Sequence, residues 1–64
     1  MNLTERQAEV LTLVSTGHTD PQIAKRIGIS RYTVNEHMRN IYATLNVTTR
    51  AHAVAVAMRK GIIR

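Results

Sequence analysis

The 64-residue sequence has no cysteine, tryptophan or phenylalanine, one proline and three glycines. Without cysteine, disulfide bonds and thiolate zinc sites are excluded, although these commonly reinforce so small a domain. No run of about 18 apolar residues is present, so we expect neither a membrane-spanning helix nor a membrane partner. The N-terminal residues lack the charged and apolar regions of a signal peptide. The length accommodates one domain, and we expect residues 1–64 to form it.

Acidic residues are also scarce. The sequence contains four Asp and Glu residues and nine Lys and Arg residues, which gives a formal net charge of +5. Small basic domains often bind a polyanion, such as a nucleic acid or an anionic membrane surface. The alternative is that the charge serves solubility alone. Apolar residues make up 44% of the sequence, which is typical of a folded domain rather than a disordered tail.

Apolar residues recur at helical spacing, which predicts an all-α chain folded as a compact four-helix bundle. Thr4 and Gln7 form a capping box before the first helix, and Gly17 follows its end. Asp20 as the N-cap and Pro21 at the first helical position begin a short second helix. The predicted helices span residues 5–16, 21–27, 31–45 and 49–60.

The third and fourth predicted helices begin after Ser30 and Thr48, which are suitable N-cap residues. One face of each helix is apolar and is expected to lie in the core. In the third helix this face consists of Val34, Met38, Ile41 and Leu45. In the fourth helix the expected inner face consists of Ala53, Val54, Ala57 and Met58.

A turn of about three residues containing Gly28 joins the second and third helices. A short helix, a tight turn and a longer helix with a polar outer face follow the plan of a helix-turn-helix. Such a longer helix presents hydrogen-bonding groups to a DNA major groove about 12 Å wide. Ala24 is the small residue that lets the two helices approach. The spacing alone does not exclude the alternative of a helical corner that binds no DNA.

The residues themselves are more specific evidence than their spacing. Residues 3–11 (LTERQAEVL), 17–30 (GHTDPQIAKRIGIS) and 33–54 (TVNEHMRNIYATLNVTTRAHAV) resemble the LuxR/FixJ-type DNA-binding domain of bacterial transcription regulators. The resemblance covers residues 3–63. It implies a four-helix bundle whose third helix reads the major groove and whose fourth helix forms a two-fold dimer contact.

The same resemblance implies partners and a setting. Double-stranded DNA is the expected ligand, bound by a homodimer that is weak without DNA. Such domains usually form the C-terminal part of a longer cytoplasmic regulator, behind a phosphoacceptor receiver or a ligand-binding domain. RNA polymerase is a further expected partner, and no cofactor is implied.

Three positions depart from the family pattern. Asn35 and Thr44 stand where the family often has lysine, and Gln7 stands where it usually has a glutamate thought to pair with the arginine at Arg50. Two fewer lysines imply fewer phosphate contacts and a shallower salt dependence of DNA binding. Asn35 in place of lysine suggests recognition of adenine through a bidentate amide contact.

Three residues on the exposed face of the third helix are the candidate base readers. Arg39 suits guanine O6 and N7, Glu36 suits the amino group of cytosine, and Asn35 suits adenine. The alternative is an ordinary solvated face on which Glu36 pairs with Arg39 three residues later.

The candidate phosphate contacts are basic or hydroxyl residues at helix N-termini and on the second helix. Arg50 has a competing role, because its position on the helical wheel points inward and would tie the fourth helix to the first. The candidates are Arg31, Tyr32, Thr33, Lys25, Arg26, Thr48, Thr49 and Arg50.

The outer face of the fourth helix is the candidate dimer interface, because small residues flanked by polar ones permit close packing of two helices. It consists of His52, Ala55, Val56 and Arg59.

Neither a metal site nor an enzyme is expected. The three histidines are far apart and lack cysteine or carboxylate neighbours at ligand spacing. No catalytic motif is present, and 64 residues leave little room for a substrate pocket. The remaining alternatives are a promoter-reading domain of a sigma factor, a protein-interaction module that docks a receiver domain or RNA polymerase, and a cationic membrane-surface helix.

Overall fold

Four α-helices make up most of the computed structural model, which describes residues 2–64. They are α1 (Glu5–Ser15), α2 (Asp20–Ile27), α3 (Arg31–Leu45) and α4 (Arg50–Arg59). No strand occurs within the described residues, so the predicted all-α bundle is confirmed. None of these helices has the length and apolarity needed to cross a membrane.

Helix α3 is the centre of the structure, since it packs against α1, α2 and α4. Its predicted apolar face is buried, because positions spaced by three and four residues lie on one side of an α-helix. The ends of α3 also agree with the predicted range 31–45. The buried residues of the core are Val10, Leu11, Ile23, Ala24, Val34, Met38, Ile41, Leu45, Val47, Ala53, Val56, Ala57 and Ile63.

Capping boxes begin the first two helices. At α1 the box is the predicted one: the backbone N–H of Gln7 donates to Thr4 Oγ1 at 3.1 Å, and the N–H of Thr4 donates to Gln7 Oε1 at 3.0 Å. At α2 the N-cap is Thr19, not the predicted Asp20. Thr19 has extended backbone angles and its box partner is Gln22, so Asp20 already lies in the first helical turn.

Helix α4 begins one residue later than predicted. Its N-cap is Thr49, whose Oγ1 accepts a hydrogen bond from the backbone N–H of His52 at 3.1 Å. The prediction of Thr48 as the cap is therefore wrong. Two consecutive threonines are equally suitable caps by sequence, and tertiary packing selects between them. The C-terminal ends of α1 and α4 lie one residue earlier than predicted.

The rotation of α4 about its axis also differs from the prediction. The helix buries Ala53, Val56 and Ala57, whereas Val54 is half-buried and Met58 is 50% exposed. Alanine, valine and methionine occur on every side of α4, so its own sequence specifies the inward face weakly. Packing against α1 and α3 determines that face instead.

The turn between α2 and α3 is tight. Gly28 adopts a left-handed conformation (φ 73°), which a residue with a Cβ rarely adopts. The backbone N–H groups of Gly28 and Ile29 both donate to the carbonyl of Ala24. Ser30 then caps α3, because its Oγ accepts from the N–H of Thr33 at 3.0 Å. The turn therefore holds the start of α3 close to the end of α2.

Thr49→Ala should lower the free energy of unfolding by about 1 kcal/mol, because the first turn of α4 loses its capping oxygen. Thr48→Ala, at the exposed neighbouring position, should cost less than about 0.5 kcal/mol. Urea denaturation followed by circular dichroism measures both values. A larger loss at Thr48 than at Thr49 would contradict the observed start of α4.

Candidate nucleic-acid interface

A polar face of α3 lies opposite its buried apolar stripe. Tyr32, Asn35, Glu36 and Arg39 lie on this face, at the i, i+3, i+4 and i+7 positions of a single helical stripe. The structure leaves Tyr32 73% exposed and the Arg39 side chain 71% exposed, and Asn35 is also exposed. The three predicted base readers thus share one side of the helix.

A loose ion pair joins two of these side chains. Arg39 Nη1 lies 3.7 Å from Glu36 Oε1, beyond hydrogen-bond distance. The Glu36 side chain is 43% exposed, so water screens the attraction. The guanidinium of Arg39 is therefore only weakly held and is free to take another acceptor.

The N-terminal turn of α3 combines free backbone donors with hydroxyl and basic side chains. No acidic residue lies in this turn, and Arg31, the first residue of α3, is exposed. The Thr33 and Ser30 hydroxyls are 2.9 Å apart, which ties the Thr33 side chain to the N-cap residue. Thr33 is also half-buried. The positive end of a helix dipole together with such donors suits a phosphate group.

Helix α2 presents two basic side chains next to the turn. Lys25 and Arg26 are exposed and lie in its last turn. Within residues 2–64, neither side chain has a carboxylate within 4 Å. Both cations therefore remain available to an anion outside the chain.

At the start of α4, the predicted phosphate contacts differ in whether they already have a partner within the protein. Thr48 is exposed, whereas the Thr49 oxygen accepts the capping hydrogen bond. Arg50 Nη1 lies 2.9 Å from Asp20 Oδ1 of α2. The pKa of Arg50 is raised, chiefly by its side-chain contact with Asp20, against the opposing effect of partial burial. The expected tie between Arg50 and the first helix is wrong, because the guanidinium reaches α2 instead.

The Asp20–Arg50 pair connects two helices that are otherwise separate. The backbones of α2 and α4 do not pack against each other among the described helices. Asp20 Oδ1 is withdrawn from solvent and accepts no well-aligned hydrogen bond, so the guanidinium of Arg50 provides its charge compensation. Sequence reasoning missed this pair, because 30 residues separate its members along the chain.

The outer face of α4 contains three of the four predicted dimer residues. His52, Ala55 and Arg59 are exposed, whereas Val56 is 8% exposed and belongs to the core. Met58 takes its place beside Ala55 on the exposed side. The prediction of Val56 as an outward residue is therefore wrong, because α4 is rotated relative to the predicted orientation.

Within residues 2–64, no group of three or more His, Cys, Asp or Glu side chains is close enough to hold a metal ion.

The sequence of this chain is similar to those of known transcription regulators. Residues 1–57 match the sequence profile of the family described as bacterial regulatory proteins, luxR family. The probable transcriptional regulatory protein SgaR of Hyphomicrobium methylovorum is 49% identical over 55 residues, which are 86% of this chain and 26% of that protein. The chain thus spans about a quarter of the length of SgaR.

Two solved structures share the fold. The transcription factor GerE superposes with a TM-score of 0.93 at 29% identity, covering 97% of this chain and 92% of that one. The response regulator ChrA, from a heme-sensing two-component system, superposes with a TM-score of 0.94 at 32% identity. The match covers 98% of this chain and 31% of ChrA.

Breaking the Asp20–Arg50 pair should lower the free energy of unfolding. In a double-mutant cycle of Asp20→Asn and Arg50→Gln, we expect a coupling energy of about 1 kcal/mol, since the pair is partly shielded from water. Urea denaturation of the four proteins gives this energy, and the cycle removes the effect of Asp20 on the α2 dipole. The same cycle on Glu36 and Arg39 is the control and should give a smaller value. Equal energies for the two cycles would contradict a special role for the interhelical pair.

Proposed function

Because the chain belongs to the luxR family of bacterial regulatory proteins, and is a LuxR-type DNA-binding domain, we propose that it reads a specific duplex sequence with α3 in the major groove. The main observation that supports this proposal is the exposed polar face of α3 opposite its buried stripe. A helix with side chains is about 10–12 Å wide, which matches the width of the major groove.

Three side chains of α3 read the bases in this proposal. Arg39 donates two hydrogen bonds to guanine O6 and N7, and Asn35 makes a bidentate contact with adenine. Glu36 accepts from the amino group of cytosine. The spacing supports this assignment, because residues three and four apart reach neighbouring base pairs from one face of the helix.

Phosphate contacts supply the affinity. Arg31, Tyr32 and Thr33 hold a phosphate at the N-terminus of α3, and Lys25 and Arg26 hold another from α2. Thr48 and Thr49 offer hydroxyl donors at the start of α4, since a capping oxygen still carries a proton to donate. Arg50 is committed to Asp20 and contributes indirectly by positioning α2.

We further propose that the domain binds an inverted repeat as a homodimer. The outer face of α4 forms the contact through His52, Ala55, Met58 and Arg59, and two α3 helices occupy major grooves about 34 Å apart. The face is small, so the pair is weak without DNA.

The complete regulator would act in the bacterial cytoplasm, with a receiver or ligand-binding domain and RNA polymerase as partners and without an enzymatic activity of this domain.

Arg39→Ala should weaken binding to the preferred duplex by about tenfold or more, because a bidentate guanine contact is worth roughly 1–3 kcal/mol. Binding to random-sequence duplex should fall much less. Selection from a random duplex pool identifies the preferred site, and fluorescence anisotropy measures both affinities. Lys60→Ala, which removes an exposed positive charge outside the proposed contacts, is the control.

The selection also separates the alternatives. An enriched inverted repeat containing guanine and adenine at fixed positions supports base reading by Arg39 and Asn35. Equal losses by Arg39→Ala on both duplexes would reduce Arg39 to a phosphate contact. Absence of duplex binding at low salt would overturn the proposal and favour a protein-interaction module.

Ala55→Glu should separate dimerisation from base reading. A charge at the centre of the outer face of α4 should weaken binding to the inverted repeat by roughly tenfold, because two carboxylates would face each other across the two-fold axis. Binding to a single half-site should match that of Thr12→Glu, a control with the same added charge on the exposed side of α1. An unchanged preference for the repeat would exclude this dimer face.

A further inference from the structure

The two tyrosines of the chain both lie on α3, and the structure gives them different surroundings. Tyr42 is half-buried and packs against the hydrophobic core. Tyr32 is 73% exposed, and it is not among the residues that pack against that core. Within residues 2–64, Met58 is the only other large hydrophobic side chain that is exposed. Packing of the fold therefore accounts for Tyr42 but not for Tyr32.

Packing over the turn between α2 and α3 does not account for Tyr32 either. A side chain that packs there is covered by its neighbours, as Ile29 is: it is half-buried and contacts the core. An aromatic ring is mainly hydrophobic surface with one polar tip, so moving it from water into an apolar contact lowers the free energy. The ring of Tyr32 is therefore available for a contact outside the chain.

Tyr32 shares its side of α3 with the three proposed base readers. It precedes Asn35, Glu36 and Arg39 by three, four and seven residues, so all four lie on one stripe. A helical rise of about 1.5 Å per residue places Tyr32 about 4.5 Å before Asn35 along the axis. Successive base pairs of B-DNA are roughly 3.4 Å apart. A helix seated in the groove through Asn35 and Arg39 would therefore bring the ring to the adjacent base pair.

The major groove offers one apolar group on the edges of its bases. Thymine presents a C5-methyl group there, in addition to the hydrogen-bond donors and acceptors by which the four bases differ. An apolar side chain that contacts this methyl group distinguishes thymine from cytosine and from both purines. The hydroxyl of tyrosine lies at the far tip of the ring, so it is left for the phosphate contact proposed above.

We infer that Tyr32 is a fourth reading residue, whose ring packs on the C5-methyl group of a thymine one base pair beyond the contact of Asn35. The inference rests on the proposed insertion of α3 into the major groove, and it adds a contact of different chemistry. The three other readers form hydrogen bonds, whereas Tyr32 buries apolar surface. Each half-site then contains one thymine that is recognised through its methyl group.

Deoxyuridine tests this contact, because uracil lacks only the C5-methyl group of thymine and keeps its base pairing and its O4 acceptor. In the preferred duplex obtained by selection, the thymines of one half-site are replaced one at a time. At the position next to the pair read by Asn35, the affinity measured by fluorescence anisotropy should fall about fourfold, which corresponds to roughly 0.8 kcal/mol for one buried methyl-sized group. Replacement of the other thymines should have little effect.

Two variants separate the ring of Tyr32 from its hydroxyl. Tyr32→Phe keeps the ring, so the loss on removal of the methyl group should remain, while both duplexes bind equally more weakly without the phosphate donor. Tyr32→Ser keeps a hydroxyl but no ring, so it should bind the thymine and uracil duplexes alike. Arg39→Ala is the control, since it weakens binding but should retain the dependence on the methyl group. Tyr32 is exposed, so neither of its variants should affect folding, which circular dichroism checks.

The outcomes distinguish this contact from the proposed function. A methyl group that matters to the native chain and to Tyr32→Phe, but not to Tyr32→Ser, supports the contact. An equal effect in the native chain and in Tyr32→Ser would overturn it, as would loss of the effect in Tyr32→Phe or a selected site without a fixed thymine at that position. If binding to the selected site still depended on Arg39, α3 would remain the reading helix. Failure to select any sequence would overturn both proposals.

Discussion

Burial of the apolar stripe of α3 is the constraint on which the rest of the structure depends. Each large side chain buried there contributes about 1.5–3 kcal/mol, whereas an exposed ion pair contributes less than about 1 kcal/mol. Packing against the other three helices therefore determines the rotation of α3. Because that rotation is determined, Asn35 and Arg39 face outward together on a rigid helix. The proposed reading surface, on a helix positioned in this way, requires no ordering of a loop on binding.

Helix α2 depends on its neighbours for its own stability. With eight residues it is too short to persist alone, since isolated helices shorter than about 12 residues are marginal in water. Helix α2 packs against α3 and buries Ala24 in the core, the Gly28 turn holds its C-terminal end, and the Asp20–Arg50 pair holds its N-terminal end to α4. In the proposed complex, the position of α3 on the duplex would thus be linked, through α2, to the helix proposed to form the dimer.

The parts of the structure that follow from the sequence are those governed by local pattern. The start of α3 follows from its N-cap Ser30, and its inward face follows from a single narrow stripe that allows one rotation only. Helix α4 is apolar on several sides, so Val56 and Met58 were exchanged between core and surface. Thr19 and Asp20 are both good N-caps, and only the folded structure distinguishes them. The partner of Arg50 depends on a distance in space that no local spacing contains.

The weakness of the Glu36–Arg39 pair suits the proposed reading of bases. A tightly bonded buried pair would cost several kcal/mol to break, and that cost would cancel the roughly 1–3 kcal/mol that a guanine contact supplies. The observed separation of 3.7 Å between exposed groups lets the Arg39 guanidinium change partners at little cost. Glu36 also keeps a negative charge beside Arg39, which opposes binding of the pair to a bare phosphate. In the proposed complex, specific sites that offer a donor to Glu36 and acceptors to Arg39 are therefore favoured over the uniform backbone.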